Sequence, residues 1–389
     1  MSTVRISADE LRDAATRIFT ACGVPPDDAH LVSDSLVQAD LWGHQSHGVL
    51  RVGWYVDRIR SGVMTGETKA ELVADHGAVA TLDGHDGIGQ VITARAAEEA
   101  IGRAERHGIG VVSVRNSNHF GTAAYFTRMA PPRGCIGILT TNSSPAMAPW
   151  DGRGKLVGSN PWSVAAPVDG DTQMVLDIAN TAVARGKIYL ARNRGEEIPD
   201  GWAVSAEGVP TRDPEQALLG TVLPMAGHKG YGISVMMDVL SGVLSGSGFG
   251  SGVSGPYQSA LPGRSGHLYL ALNIASFSPV QEFEERMKAL VAELKSGSRE
   301  GAEEVHYPGE IESLAEAWNA REGLLLPGRT IADLRQVAHD LGVDVLEDLK
   351  ADVPEDLGAD VPEDPGADVL EDLRVDVLAD PGADVLEER

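Results

Sequence analysis

Cysteine is nearly absent from this sequence, with only Cys22 and Cys135 among 389 residues. Two cysteines so far apart in the chain supply neither a disulfide framework nor a thiolate metal cluster. The first residues lack the basic start and apolar stretch of a signal peptide, and no run approaches the roughly 20 apolar residues of a membrane span. We therefore expect a cytoplasmic protein without a membrane-embedded segment.

Positive charge is also scarce. The chain has 32 Lys and Arg against 57 Asp and Glu, a formal net charge of −25. Nucleic acids and anionic membranes are bound through clustered Lys and Arg, so this balance argues against both as partners. The acidic excess is uneven, because residues 343–389 carry a net charge of −14 and residues 1–342 a net charge of −11.

The acidic C-terminal segment is a tandem repeat with a period of eight residues. An Asp-Val pair recurs at Asp344, Asp352, Asp360, Asp368, Asp376 and Asp384. Four prolines and the acidic residues of each copy prevent a long helix or a packed core. We predict a disordered tail, either an acidic interaction arm or an inert repeat expansion.

The body of the chain has room for two domains or one large one. The spacing from Ser7 to Glu10 predicts a capping box, and apolar periodicity predicts three helices up to residue 60. Strand and helix patterns then alternate, with predicted strands at 79–82, 109–114, 135–141, 162–166, 174–178 and 268–274. This alternation indicates an α/β fold.

The segment from Leu41 to Arg51 holds the first candidate site residues. With Ser46 as the N-cap of the third helix, His47 lies in the first turn and Arg51 follows on the same face. The helix N-terminus and the guanidinium disfavour a protonated imidazole, whereas a carboxylate bound between them favours it. This predicts an acid that acts only with a carboxylate substrate present; the alternative is a solvated helix face without function.

His44 and His47 also form an H-x-x-H pair, which invites a zinc interpretation. Zinc sites require a third and a fourth ligand at defined spacing, and none lies near these histidines in the sequence. We therefore predict no metal site and a structural role for His44.

Polar residues follow two predicted strands. Asn118 and His119 come after the strand at 109–114, and Ser143 and Ser144 come after the strand at 135–141. Ligands of open α/β sheets bind beyond the carboxyl ends of strands, and histidine suits acid-base work at neutral pH. We interpret these as the ends of two neighbouring strands, which predict a site, although chance placement is the alternative.

The turn at 227–232, Gly-His-Lys-Gly-Tyr-Gly, opens a predicted helix. Backbone N–H groups and a lysine at a helix N-terminus suit a phosphate, although an ordinary glycine turn is an equal alternative. The G-x-G-x-x-G at Gly250, Gly252 and Gly255 follows a helix rather than a strand, so it fails as a dinucleotide fingerprint.

Together these motifs resemble the malate/L-lactate dehydrogenase family of the type that lacks a Rossmann fold. This family also includes ureidoglycolate, sulfolactate, diketogulonate and piperideine-2-carboxylate enzymes. The resemblance runs from about residue 6 to residue 342. It is carried, in order, by Ser46-His-Gly-Val-Leu-Arg51, Asn116-Ser-Asn-His-Phe-Gly121, Thr141-Asn-Ser-Ser-Pro145, Gly158-Ser-Asn-Pro161, Leu176-Asp-Ile-Ala-Asn-Thr-Ala-Val-Ala-Arg-Gly-Lys187 and the Gly227 to Gly232 turn.

The resemblance implies an α/β fold with a non-Rossmann NAD(P)-binding domain and a mixed sheet, at 76–279. A helical part would be formed by residues 1–75 packed with 280–342, and the tail at 343–389 has no counterpart in the family. The resemblance also implies a homodimer and hydride transfer between NAD or NADP and a small 2-keto or 2-hydroxy acid. Reduction of a cyclic imino acid is the alternative, because the same carboxylate clamp serves a carbon–nitrogen double bond.

The resemblance assigns proton transfer to His47 or His119, and we keep both. Arg51 would clamp the substrate carboxylate, while hydroxyl and amide groups of Ser46, Asn118, Ser143 and Ser144 would orient the substrate. The residues implied to line the cofactor are Asp177, Asn180, Thr181, Ala182, His228, Lys229, Gly230, Pro308 and Gly309.

Two other classes of protein make different predictions. A histidine-based metal-dependent lyase would need tightly bound metal for activity. A non-catalytic scaffold that uses the acidic tail would keep its partner after His119→Ala and would show no cofactor turnover. The sequence leaves the substrate side chain and the choice between NAD and NADP open.

Overall fold

The computed structural model describes residues 3–297 and 304–346. Helices α1 to α11 occupy, in chain order, Ala8–Ala21, Pro26–Leu41, Val52–Arg60, Gly89–His107, Ala123–Thr127, Arg185–Arg194, Pro214–Leu219, His228–Asp238, Val280–Ser296, Glu310–Glu322 and Gly328–Asp340. Strands β1 to β14 occupy Thr3–Ile6, Glu71–Asp75, Val79–Asp83, Ile109–Ser117, Cys135–Thr141, Pro145–Met147, Val157–Gly158, Trp162–Asp169, Thr172–Ile178, Ala203–Val204, Pro210–Thr211, Thr221–Val222, Ser265–Asn273 and Leu324–Pro327. Within these ranges, no helix combines the length and the apolar character that crossing a bilayer requires.

A helical core joins the two ends of the described chain. The predicted capping box is present, since the Ser7 hydroxyl accepts from the Glu10 amide at 3.2 Å and the Glu10 carboxylate accepts from the Ser7 amide. Apolar faces of α1, α2, α3 and α11 pack together. Strand β1 pairs antiparallel with β14 and closes this core.

A second core lies between α4, α5 and a seven-stranded sheet of order β2-β3-β4-β13-β5-β8-β9. Strands β3 and β4 are parallel, and β13 runs antiparallel to both β4 and β5. Strands β4 and β5 therefore end at the same edge, where β13 begins. We call this edge, at Ser117, Thr141 and Ser265, the site edge.

The prediction of an α/β fold with a mixed sheet is confirmed. The strand predicted at 135–141 has those bounds in the structure. The interpretation of β4 and β5 as neighbouring strands is wrong, because β13 lies between them and bonds to both. Their polar ends still share one edge because an antiparallel strand separates two parallel ones.

A small lobe follows β9. Its three short strands pair in the order β11-β10-β12, and its apolar core includes Ile188 of α6 and Ala217 of α7. The first turn of α6 reaches the helical part, since a Cβ on Gly186 would stand 3.2 Å from Cβ of Ser46.

The first residues of the predicted tail pack on the helical core. Val345 is 4% exposed and lies among the core side chains, and the Leu346 carbonyl accepts from Nε of Arg335 at 3.1 Å. The remaining repeat, 347–389, lies outside the described residues, so its disorder stays a prediction. The proposed domain boundaries likewise stay predictions.

Candidate active site

The segment around His47 is not the start of a helix. It forms two 3-10 turns, Gln45–His47 and Val49–Arg51, and α3 begins only after them. Ser46 caps no helix; its hydroxyl lies 2.9 Å from Nδ1 of His47. The predicted helical face shared by His47 and Arg51 is therefore wrong.

A buried carboxylate beneath this segment explains the break. Asp40, near the end of α2, accepts a hydrogen bond from the Val49 amide at 2.9 Å. A Cβ on Gly48 would stand 1.9 Å from Oδ1 of Asp40, so a larger residue requires the loop or the Asp40 side chain to move. Burial raises the pKa of Asp40 to about 8. We call residues 44–51 the His47 loop.

Arg51 nevertheless stays beside His47. Its Nε donates to the Ser46 carbonyl at 2.7 Å, and its guanidinium lies 4.2 Å from the centre of the Trp54 ring. In the described part of the chain, its terminal N–H groups bond to no protein acceptor. They are available to a carboxylate in the two-pronged geometry that arginine favours.

His119 reaches the same place from β4. The pairing of β4 with β13 shifts between Val114 and Ser117, and Asn116 adopts a left-handed φ of 52°. The Asn116 side chain donates to both carboxylate oxygens of Asp83, at 3.0 and 3.1 Å. This bulge turns the chain out of the sheet and presents His119.

The rings of His47 and His119 stack, with their centroids 5.9 Å apart and their planes 22° from parallel. The Tyr55 hydroxyl lies 2.6 Å from Nδ1 of His119, and the Gly121 amide donates to the same nitrogen at 3.3 Å. A hydroxyl either donates or accepts, so Tyr55 holds the ring in both protonation states. Among the described residues, Nε2 of His119 has no hydrogen-bond partner and is available to a ligand.

Both histidines are neutral without a ligand. Burial, the charge of Arg51 and the neighbouring His44 lower the pKa of His47 to about 3. Burial and Arg51 hold the pKa of His119 well below its ordinary 6.5. A bound carboxylate would offset the charge of Arg51 and raise both pKa values.

The side chain of Asn118 is engaged within the protein. Its Nδ2 donates to the carbonyls of Asp86 at 3.1 Å and Gly87 at 2.8 Å, and its Oδ1 accepts from Arg58 at 2.8 Å. Arg58 is 2% exposed and also donates to the Gly255 carbonyl at 3.4 Å. Asn118 thus joins α3 to the site edge, and Arg58 joins α3 to the glycine-rich loop, the segment that contains Gly250, Gly252 and Gly255.

Ser143 and Ser144 follow β5 at the same edge. The Ser143 amide donates to Oδ1 of Asn160 at 2.9 Å, and its hydroxyl lies 3.1 Å from that of Ser159. A Cβ on Gly255 would stand 3.0 Å from the Ser144 hydroxyl. The glycine-rich loop therefore covers Ser144.

The segment after β9 connects this edge to α8. Asn180 is fully buried, and its Nδ2 donates to the Asn160 carbonyl at 2.6 Å. Thr181 and Ala182 pair through their backbones with residues 223–224. Of these three predicted cofactor residues, only Ala182 is exposed.

The first turn of α8 carries the predicted phosphate turn. His228 and Lys229 are exposed, and no side chain caps the helix. A Cβ on Gly230 would stand 2.2 Å from the Met225 carbonyl, so glycine is required where α8 packs on its preceding turn. Uncapped N–H groups beside a lysine are groups that can bind an anion.

Pro308 and Gly309 lie against β9. The Pro308 carbonyl accepts from the Val175 amide at 2.8 Å, and Gly309 has φ of 88°. Two residues further along β9, Asp177 accepts from the Ala124 amide at 2.7 Å, at the start of α5. Burial raises the pKa of Asp177 to about 7.

His44 has an acidic neighbour and is not part of a metal-ligand cluster in the described residues. Its Nε2 is 3.7 Å from Oε1 of Glu312. Across residues 3–297 and 304–346, no three His, Cys, Asp or Glu side chains converge as metal ligands would.

The site residues predicted from the sequence do not include Asp40, Tyr55, Arg58, Asn160 or His267. Tyr55 and Arg58 follow Arg51 by four and seven residues, a helical spacing that places them on one face of α3. That spacing was a usable signal. Asn160 lies in the Gly158-Ser-Asn-Pro161 motif of the resemblance, whereas Asp40 and His267 make contacts that no local sequence pattern indicates.

Comparison with known proteins supports one interpretation of this geometry. The profile of the family described as malate/L-lactate dehydrogenase matches residues 6–335. A malate dehydrogenase from Pyrococcus abyssi is 38% identical over 353 residues, covering 88% of this chain and 97% of that protein.

Two solved structures are also similar to this chain. Sulfolactate dehydrogenase from Methanocaldococcus jannaschii superposes with a TM-score of 0.82 at 34% identity, covering 87% of this chain and 98% of that chain. A Δ1-piperideine-2-carboxylate reductase from Pseudomonas syringae gives a TM-score of 0.78 at 27% identity, covering 86% and 99%.

Proposed function

The chain belongs to the malate/L-lactate dehydrogenase family, and from this premise we propose that it transfers a hydride between NAD or NADP and a small 2-hydroxy acid. Its relatives are malate, sulfolactate and ureidoglycolate dehydrogenases, so the chain is a hydroxy acid dehydrogenase. The substrate, the cofactor and the roles of individual residues are the substance of the proposal.

One observation carries the proposal. The guanidinium of Arg51, with free terminal N–H groups, lies beside two stacked neutral histidines. A 2-keto acid needs a cation for its carboxylate and a proton donor for its carbonyl oxygen, and these side chains supply both. Binding of the carboxylate to Arg51 raises the pKa of the adjacent imidazole, so the proton donor forms when the substrate arrives.

We assign proton transfer to His119. In reduction, the carbonyl carbon gains a hydride while the carbonyl oxygen takes the proton from Nε2 of protonated His119. In oxidation, neutral His119 carries its proton on Nδ1, which donates to the Tyr55 hydroxyl, and accepts the substrate hydroxyl proton at Nε2. Tyr55 holds Nδ1 in both states, and His47 with Ser46 orients the substrate oxygen.

The cofactor residues fit a nicotinamide dinucleotide. A pyrophosphate needs amide donors, a cation and close backbone approach, and the uncapped start of α8 combines these with Lys229 and the crowded Gly230. Asp177, Asn180, Thr181 and Ala182 would hold the cofactor beside it, with Pro308 and Gly309 along β9. When bound, the nicotinamide supplies or accepts the hydride.

The experiment that tests this proposal is a rate panel. We expect chelator-treated protein to oxidise NADH or NADPH with at least one 2-keto acid, starting with the keto forms of malate and sulfolactate. His119→Ala should abolish turnover and leave cofactor binding intact. Because the pKa of His119 in the ligand-free enzyme lies well below 6.5, kcat/KM for hydroxy acid oxidation should stay constant as pH falls through about 6.5. No turnover with any member of the panel contradicts the proposal.

A cyclic imino acid reductase is the second candidate. The similarity to the Pseudomonas syringae reductase favours it, and the same Arg51 clamp would serve its substrate. Adding Δ1-piperideine-2-carboxylate to the panel separates the two candidates, because a higher kcat/KM for the imine than for every keto acid selects the reductase.

We also propose a cytoplasmic homodimer. Apolar side chains crowd one exposed surface around α8 and the following turns, and Met236, Val243, Leu244 and Phe249 are 53%, 55%, 61% and 61% exposed. A patch of this kind is typical of a subunit interface. Sedimentation of wild type as a dimer and of Val243→Lys as a monomer would support it; a monomeric wild type would contradict it.

A further inference from the structure

His267 is the third residue of β13 and lies near the site edge, between the two polar strand ends. Its ring is 1% exposed, with Ser117 of β4 on one side and Thr141 of β5 on the other. Nε2 lies 2.8 Å from the Ser117 hydroxyl, and Nδ1 lies 2.8 Å from the Thr141 hydroxyl. A single imidazole therefore links both strands on either side of its own.

Each hydroxyl partner of His267 also has a carbonyl acceptor. The Thr141 hydroxyl can donate to the Gly266 carbonyl at 3.2 Å, and the Ser117 hydroxyl can donate to the Asn118 carbonyl at 3.4 Å. In either neutral tautomer, one ring nitrogen of His267 therefore donates to one hydroxyl and the other nitrogen accepts from the other hydroxyl. Every polar hydrogen in this buried chain has a partner, which keeps the ring in one orientation.

The two hydroxyls stand directly before the site loops. Ser117 precedes Asn118 and His119, and Thr141 precedes the segment that contains Ser143 and Ser144. The edge of the Phe120 ring also packs on His267, with centroids 4.8 Å apart. Movement of the His267 ring would therefore shift His119 and the serines together.

We propose that His267 is a positioning residue, which sets the distance between the His119 loop (residues 117–121) and the serine loop (residues 142–144) by bonding Ser117 and Thr141. His267 itself contacts no reacting atom. The catalytic part of this inference rests on the proposed dehydrogenase function, whereas its structural part does not.

Three substitutions of His267 separate the two bonds. An Asn amide reaches about as far as Nδ1 and keeps the bond to Thr141, whereas a Gln amide reaches about as far as Nε2 and keeps the bond to Ser117. Leu removes both bonds. Tyr269→Phe is the matched control, because Tyr269 lies two residues along β13, is fully buried and donates one hydrogen bond to the Phe126 carbonyl.

The first measurement is hydrogen exchange of the full-length variants, followed by mass spectrometry. We expect His267→Leu to speed exchange in both loops, whereas Tyr269→Phe leaves both at the wild-type rate. His267→Gln should protect residues 117–121, and His267→Asn should protect residues 142–144. Unchanged exchange in both loops of His267→Leu would overturn the proposal, and if that variant fails to fold, the Gln and Asn variants decide it.

The second measurement is kinetic. We expect His267→Leu to lower kcat on the order of 10- to 100-fold, because small displacements of an acid-base group are costly, while the cofactor Kd changes by less than about threefold. His267→Gln should recover most of kcat. Equal losses of kcat in His267→Leu and Tyr269→Phe would reduce His267 to a structural residue. If wild type turns over no substrate, the proposed function fails, and the exchange data still decide the positioning role.

Discussion

The His47 loop and the site edge meet in one place, yet their supports lie at different distances along the chain. Asp40 holds the His47 loop at Val49 from nine residues away. His267 holds Ser117 from 150 residues away and Thr141 from 126. The first half of the site is thus shaped by a local contact, and the second half exists only after the sheet has assembled.

The two halves also use carboxylates differently. Asp40 accepts one amide in a buried place, and its pKa is raised to about 8. Asp83 lies beneath the bulge at Asn116; burial raises its pKa, but hydrogen bonds from Asn116, His85 and Arg115 outweigh this and lower it. The number of donors, rather than burial alone, decides whether a supporting carboxylate is charged.

Gly48→Ala should break the local half of the site with the largest effect. The added Cβ would stand 1.9 Å from the Asp40 carboxylate, so the loop or the Asp40 side chain must move and the contact with the Val49 amide is disturbed. We expect kcat/KM to fall about 100-fold and unfolding free energy to fall by about 1–3 kcal/mol. Exchange at the site edge should stay at its wild-type rate.

Gly102→Ala is the control for this variant, because a Cβ there meets nothing within 4 Å. It should leave activity and stability near wild type. Full activity of Gly48→Ala would show that the His47 loop tolerates displacement. The bond from Val49 to Asp40 would then not be needed for activity.

Arg51→Lys should change the substrate contact alone, because the bond from Asp40 to the His47 loop and the bonds from His267 to the site edge stay in place. A lysine cannot reproduce the two-pronged contact of a guanidinium, so we expect the keto acid KM to rise about 10- to 100-fold. Cofactor affinity, measured by fluorescence titration, should be nearly unchanged. Arg60→Lys, at the exposed end of α3, should behave as wild type. Unchanged kinetics of Arg51→Lys would remove Arg51 from the substrate site.

Truncation of the tail tests how far the helical core extends. Ending the chain after Leu346 should leave the Tm and turnover unchanged. Ending it after Gly342 removes the buried Val345 and should cost about 1–2 kcal/mol, seen as a lower Tm. A large loss in the chain that ends after Leu346 would show that residues beyond 346 also pack on the body.

Asp40→Asn should have the smallest effect on activity, and its effect on stability should depend on pH. The raised pKa means that folded Asp40 binds more protons than unfolded Asp40 between about pH 4 and 8, so its contribution to stability is lost as pH rises through this window. Asn keeps an acceptor for Val49 and does not ionise. The Tm of the variant relative to wild type should therefore increase from pH 5 to pH 9. A difference independent of pH would show that Asp40 does not titrate in this window.

Local patterns in the sequence predicted much of the fold. The capping box at Ser7, the strand at 135–141 and the mixed α/β class depend on periodicity and on neighbours within a few residues, and the structure confirms them. The prediction of Ser46 as a helix cap is wrong because the Val49 amide bonds to Asp40 and the segment forms two 3-10 turns. This contact spans a loop, so helix-capping patterns do not indicate it.

The sequence by itself determined which functional groups this protein has and which elements they are near. His47 and Arg51 follow α2, His119 follows β4, and the glycine turn lies at the start of α8. Only the tertiary structure decided that β13 inserts between β4 and β5, that His267 therefore joins their ends, and that Tyr55 meets His119. Strand order and register are fixed by contacts over more than a hundred residues, and local periodicity does not record such contacts.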